Sequence, residues 1–299
     1  MKPIRLGDVE IHRVIEIPRS TYPTSDMLPT SSADVIARHR AGWLGAFYDA
    51  DTGDLGSRIQ SYVVRTPDET VLIDTCVGND KKRENALWNM RQGTWLDDLR
   101  GVGVAPDDVD YVLCTHMHVD HVGWNTRRGT VDRRGRSRSE HDAWVPTFPR
   151  ATYVFVGEEW EFWKHESETG RDPDGCIDDS VIPIVEAGRA RLVDSTASIG
   201  KYLRFEPTPG HTPGHASVRL TTSGGEAVFS GDLMHRVVQV AEPRWSSRFC
   251  HDGIRAAKTR GAFVEEHADS GALICAAHFP APGYVVKAGG ELRFEAKAM

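Results

Sequence analysis

Cysteine is scarce in this 299-residue chain: five residues, Cys76, Cys114, Cys176, Cys250 and Cys275, with no two in a C-x-x-C pair. That excludes a disulfide-stapled scaffold and a dithiol or zinc-ribbon centre built on such a pair, and the thiols are expected to be free and mostly buried. Long apolar runs are missing as well. No stretch approaches the roughly 18 apolar residues of a membrane helix. The first twenty residues hold no apolar block of signal-peptide type and no small-residue cleavage site, which makes a cytoplasmic location the expectation. Positive charge is not in excess: 36 Lys+Arg against 43 Asp+Glu leave a net −7. Nucleic acid and membrane are therefore not expected partners, because phosphate surfaces select a concentrated basic face. No internal repeat or low-complexity tract is apparent.

What the chain does contain is a series of short β-branched runs bounded by Gly, Pro or Asp. Val9–Ile17, Ser61–Thr66, Thr70–Asp74, Val109–Thr115, Ala151–Val156, Tyr202–Phe205, Ala216–Thr221, Ala227–Ser230 and Ala272–Ala276 are expected as strands. Helical spacing predicts helices over Ser31–His39, Lys81–Met90, Thr94–Arg100, Gly157–His165 and Asp252–Ala268, the last with Ile254, Ala257, Phe263 and Val264 as its apolar stripe. The class is mixed α/β or α+β, helices covering sheets, in one large domain or two small ones; a single α+β domain, 1–299, is carried forward. Two segments stand apart. Residues 21–57 are turn-rich but carry Trp43, Phe47 and Tyr48, and are expected as a lid; residues 127–141, with six arginines, are expected as a basic surface loop.

Chemistry concentrates in Thr115-His116-Met117-His118-Val119-Asp120-His121, directly after an apolar run. Side chains delivered where a chain leaves a sheet are rigidly held yet reachable. Three imidazoles and a carboxylate so close together would lack partners in an apolar core. As a set they suit a divalent transition ion. Three further donors stand at apparent strand ends downstream: His211 in Pro209-Gly210-His211, Asp232 in Ser230-Gly231-Asp232, and His278 in Ala276-Ala277-His278.

With H-x-H-x-D-H matched by His116, His118, Asp120 and His121, and the later positions by His211, Asp232 and His278, the sequence resembles the metallo-β-lactamase superfamily from about Ser61 to its last strand. The resemblance implies an αββα sandwich, two mixed sheets face to face with helices outside. It also implies one ion on His116, His118 and His211, a second on Asp120, His121 and His278, and Asp232 bridging the two. Zn2+ is the first expectation, although the same donors accept Mn2+, Co2+ or Fe2+. Two such ions lower the pKa of a shared water. The expected nucleophile is that bridging hydroxide, with Asp120 orienting it and passing a proton to the leaving group. His235, three residues after Asp232, is a second catalytic candidate, facing the cavity to stabilise an oxyanion or leaving group. Thr115 and Asp74 are candidate supports behind the donors, while His215 is expected to be structural.

Gly231–Gln239 and Ala277–Gly283 look most like the branch containing quorum-quenching lactonases and methyl parathion hydrolase. A lactone, aryl ester or phosphotriester is the expected small-molecule substrate, with aromatic residues Trp43, Phe47 and Tyr48, joined by Trp124 and Trp245, over its apolar part. The tyrosine that lactonases carry soon after the bridging aspartate is replaced here by Met234 and His235. A phosphodiester nuclease and an iron-dependent redox or dioxygenase member are the alternatives. The second imidazole at His118, where di-iron members typically place a carboxylate, favours hydrolysis. A homodimer is the one assembly carried forward.

Overall fold

A computed structural model describes residues 2–19, 22–129 and 143–298. The chain forms two compact units: one comprises Glu10–Glu16 and Gln60–Val193, the other Lys2–Val9, Ile17–Ile59 and Asp194–Met299. After β1 (Ile4–Leu6), the strands are β2 (Val9–Ile17), β3 (Ile59–Arg65), β4 (Thr70–Ile73), β5 (Tyr111–Leu113), β6 (Thr126–Arg128), β7 (Trp144–Pro146), β8 (Thr152–Val156) and β9 (Ala190–Val193). They continue with β10 (Ser198–Ile199), β11 (Leu203–Pro207), β12 (Ala216–Thr222), β13 (Gly225–Phe229), β14 (Leu273–Cys275), β15 (Gly283–Ala288) and β16 (Glu291–Ala296). Each unit has its own mixed sheet with helices, as an α+β class requires.

In the first unit the sheet runs β2-β3-β4-β5-β8-β9, with β4, β5, β8 and β9 mutually parallel. Val71, Leu72, Val112, Leu113 and Val154 are all buried, because parallel strands covered on both faces read as continuous apolar runs rather than alternating ones. Ile73 pairs with Leu113, so Asp74 and Thr115 leave the same sheet edge side by side. Groups at the carboxyl ends of parallel strands open into a crevice, which suits them to ligand chemistry.

The second sheet runs β10 through β16 in sequence order, antiparallel except for β13 and β14. The parallel pair is joined through the helix Gly253–His267, whose start is capped by the Asp252 side chain accepting from Arg255 N–H. Phe229 pairs with Cys275. Asp232 and His278 each follow three residues later and therefore emerge together. The β11–β12 loop, which carries His211, is bracketed by the pair Pro207 and Ala216. Since Val218 pairs with Phe229, that loop opens beside the end of β13.

Most predicted strands and helices form within a residue or two of their expected limits, but three expectations fail. Lys81–Met90 is not helical. Lys81 and Arg83 instead turn inward onto Asp179, Lys81 Nζ lying 3.2 Å from Oδ1 and Arg83 Nη1 2.7 Å from Oδ2; a buried ion network overrides local helical preference. Ile254 is 87% exposed, because the buried face of its helix is rotated to admit Arg260, which donates to the Leu233, Pro243 and Trp245 carbonyls. Trp124 is a core residue, stacked on Trp95 at 5.6 Å.

In the segment expected as a lid, Leu44 and Phe47 are buried in the second unit's core, with Trp43, Tyr48 and Trp245 packed against it. The basic segment expected at 127–141 lies, from residue 130 onward, outside the described residues. All five cysteines are free, four of them buried. Among the described residues no helix is long and apolar enough to cross a membrane.

Candidate metal centre

In the first unit, β5 ends at Leu113 and the chain runs through Thr115 and His116 into a single helical turn, Val119–Val122. A relay of hydrogen bonds fixes the imidazoles. Asp74, buried and at φ 55°, accepts from Thr115 N–H (2.8 Å) and from the Thr115 hydroxyl (2.9 Å). With its proton committed to Asp74, Thr115 Oγ1 can only accept from His116 Nδ1, 3.1 Å away. Asp74 Oδ2 also lies 2.9 Å from His121 Nδ1. Both rings thereby keep Nδ1 protonated and present Nε2 as a lone pair, the usual device by which outer groups set a ligating histidine. His116 Nε2 points at His118 Nδ1 at 3.1 Å, and Asp120 Oδ1 lies 3.7 Å from His121 Nε2.

The loop is docked by backbone contacts. Gly123 N–H donates to the Cys76 carbonyl at 2.7 Å, Thr75 N–H to the His121 carbonyl at 2.7 Å, and Trp124 N–H to the Thr75 carbonyl at 2.8 Å. A Cβ at Gly123 would sit 1.9 Å from the Val77 oxygen; only glycine permits this approach.

In the second unit three imidazoles converge on one buried carboxylate. His278 Nε2 lies 2.9 Å from Asp232 Oδ1, while His211 Nε2 (3.3 Å) and His235 Nε2 (3.1 Å) lie near Oδ2. His278 Nδ1 is 2.7 Å from the Arg58 carbonyl, which can only accept, so His278 too offers a lone pair at Nε2. Lone pairs on Nε2 and on a carboxylate oxygen at 2.9 Å repel unless a cation or an additional proton lies with them. That donor chemistry fits a divalent transition ion.

His215 is not part of the donor set. Its Nδ1 meets Thr208 Oγ1 at 2.9 Å and its Nε2 accepts from Asp232 N–H at 3.1 Å, so it holds the carboxylate's backbone. Gly210, at φ 132°, lets the preceding turn pass against Ala256, where a Cβ would meet backbone at 2.3 Å.

Within the second unit, His235 and His211 respond differently to their surroundings. His235 is driven down to about 3 by burial, against the pull of Asp232 and with further lowering from His211 and His278. Burial also acts to lower His211, but the contacts with Asp232 and Cys250 outweigh it and hold that ring up at about 9. An ion binding His211 must displace that proton, so its uptake tightens as pH rises toward 9.

The seven side chains expected as donors fall, with His235, into the clusters able to hold a metal ion; some of the groups that support them were not foreseen from the sequence. Glu16, buried in β2, accepts from Val77 N–H (2.7 Å), Gly78 N–H (3.2 Å) and the Trp124 indole (2.8 Å), bracing the loop that follows Asp74. Burial raises its pKa against those three hydrogen bonds. Glu159 accepts from Met117 N–H (3.0 Å) and from the Trp163 indole (2.8 Å), and the Trp163 ring stands edge-on to His118 at 5.2 Å. Glu16 shares β2 with Glu10, His12 and Arg13, so the strand's sequence does not single it out. For Glu159 the available signal was the i,i+4 spacing to Trp163.

Residues 56–127 match the family model described as the metallo-beta-lactamase superfamily. An N-acyl homoserine lactonase of Bacillus thuringiensis is 22% identical over 182 residues, 56% of this chain and 60% of that protein. Metallo-beta-lactamase domain-containing protein 1 of Xenopus laevis is 29% identical over 168 residues, 56% of this chain and 51% of that protein. The chain thus spans about 60% or less of the length of these curated relatives. Among solved structures, the hydrolase AbOPH of the beta lactamase superfamily superposes with a TM-score of 0.80 at 23% identity, covering 99% of this chain and 97% of that one. AidC, a dizinc quorum-quenching lactonase in complex with a product, superposes at 0.73 and 21%, covering 100% and 97%. The fold is that of the metallo-beta-lactamases.

Proposed function

We propose, for a chain that carries a metallo-beta-lactamase superfamily domain, that it is a metal-dependent hydrolase acting on small ester-like electrophiles, lactones first, with aryl esters and phosphotriesters as the related classes. The observation that carries this is the buried Asp232 carboxylate with three imidazoles within 3.3 Å, two at one oxygen and one at the other. A carboxylate addressed at both oxygens is what a group spanning two cations needs. In this assignment His116, His118 and His211 would hold one divalent ion and Asp120, His121 and His278 the other, with Asp232 serving both. Zinc suits the donors, and the likeness in fold to a dizinc quorum-quenching lactonase supports it.

When bound, a pair of divalent ions supplies a water acidified toward neutrality and a Lewis acid for the electrophile's oxygen. The remaining work falls to the chain. Asp120 orients the attacking water and carries its proton to the leaving oxygen. Asp74 and Thr115 keep His121 and His116 in the ligating tautomer. Glu159 and Trp163 hold the backbone and ring wall of the His118 turn. A cytoplasmic setting and a single catalytic domain belong to the same proposal.

The test is a hydrolysis screen of the full chain against an N-acyl homoserine lactone, an aryl ester, a phosphotriester and a bis-aryl phosphodiester, with metal analysis of the same sample. Lactone turnover that disappears on chelation and returns with zinc is expected. Turnover of the phosphodiester alone would point to the nuclease alternative, and a fully metal-loaded chain inert to all four would contradict the proposal.

A further inference from the structure

We propose that His235 is itself a metal ligand, forming with Asp232 and His278 a two-imidazole, one-carboxylate site for a divalent transition ion contributed wholly by the second unit. The inference rests on the dinuclear assignment above and changes the role of His235 from a group that faces the leaving atom to one that grips the ion.

His235 is 1% exposed, and neither of its ring nitrogens meets hydrogen-bond geometry with a partner among the described residues. A buried imidazole left in that state costs free energy, and such groups in native structures call for an explanation. Its Nε2 approaches Asp232 Oδ2 to 3.1 Å without the alignment of a donated hydrogen bond, as two donors sharing one cation would. The ring stacks on His278 at 5.3 Å with 18° between planes. Asp232, His235 and His278 each offer one ligand atom, and all three atoms lie within 4.8 Å of one another.

The backbone holds His235 in place. Gln239 Oε1 accepts from His235 N–H (2.7 Å) and from Arg236 N–H (3.0 Å), and Gln239 Nε2 donates to the Trp245 carbonyl (2.7 Å). Buried Arg236, next in sequence, donates to the Tyr22 carbonyl at 2.7 Å and tethers the same turn. A ring pre-positioned this firmly, buried and short of hydrogen bonds, has the character of a ligand rather than of a mobile acid. Two nitrogens and one oxygen accept zinc, cobalt or manganese alike.

The test uses the metal-free full chain, titrated with zinc alone and with cobalt alone, for wild type, His235→Leu and His235→Ala. Wild type is expected to take up two equivalents. In His235→Leu the second equivalent is expected to bind on the order of 100-fold more weakly, with altered cobalt d–d absorption. Imidazole added to cobalt-loaded His235→Ala is expected to restore the wild-type spectrum, a response that a folding defect does not give. Two equivalents in every variant, with unchanged affinity and unchanged cobalt absorption, would overturn the role of His235 and leave the dinuclear assignment standing. Fewer than two equivalents in wild type would overturn both.

Discussion

His116→Ala is expected to lower kcat/KM for lactone hydrolysis by at least about 1000-fold, with zinc content falling in the same preparation. The magnitude follows from the several kcal/mol of transition-state stabilisation that metal-ion catalysis supplies, each 1.4 kcal/mol being about tenfold in rate. His116 is the position to change because its surroundings define its role. Thr115 Oγ1 receives the Nδ1 proton, and Nε2 stands 3.1 Å from His118 Nδ1. Alanine removes the donor and opens a cavity without disturbing Asp74, which keeps Thr115 N–H and His121. His165→Ala, on an exposed face of the helix Gly157–Glu168, serves as the control and should leave turnover unchanged. Equal turnover in wild type and His116→Ala would remove the basis for the assignment.

The second large effect concerns stability. Asp179→Ala should destabilise the protein by about 3–5 kcal/mol, the range for removing one partner of a buried ion pair. Two cations depend on this carboxylate. Arg83 reaches it through Nη1 (2.7 Å) and Nη2 (2.9 Å), and Lys81 Nζ reaches it at 3.2 Å while also donating to Thr126 Oγ1 (2.8 Å) and lying 3.8 Å over the Trp144 ring. Without Asp179 both charges stay buried with dipoles and a ring face in place of a counter-ion. Thermal unfolding should shift downward by roughly 10 °C.

Lys81 adds a pH signature. Burial lowers it from 10.5 to about 8, against the pull of Asp179. Because its folded value lies below its unfolded one, its contribution to stability is present above 10.5 and is lost as pH falls through about 8. Wild type should therefore gain stability relative to Lys81→Met as pH rises from 8 to 10.5. An Asp179→Ala melting curve identical to wild type, or a flat difference between wild type and Lys81→Met across that range, would contradict this account.

How much of the molecule could be read from the sequence depends on how local each cause is. The candidate donors were legible because their chemistry is carried by residue type and by position at strand ends. His211, Asp232 and His278 all follow strands whose apolar runs are short and well bounded. The strand limits of β2 and β12 were legible for the same reason. Lys81–Met90 was misread because its two cations answer to Asp179, 98 and 96 residues further along the chain, and no local periodicity encodes that. Ile254 was misread because an apolar residue in the first turn of a helix looks like the start of a buried stripe, whereas Arg260 sets the face that is buried. His215 was distinguished correctly from the ligands, and the structure supplies the reason: both its nitrogens are engaged by Thr208 and by the Asp232 backbone. Glu16 and Glu159 come from elements far from the H-x-H-x-D-H turn, so their support of it appears only once the sheet of the first unit is assembled.

His116, His118, Asp120, His121, His211, Asp232 and His278 are proposed to hold a pair of divalent ions. Anomalous diffraction at the zinc edge from zinc-soaked crystals of the full chain tests it most directly. Two peaks roughly 3.5–4 Å apart, with Asp232 reaching both, are predicted; a single peak, or none at those side chains, would contradict it.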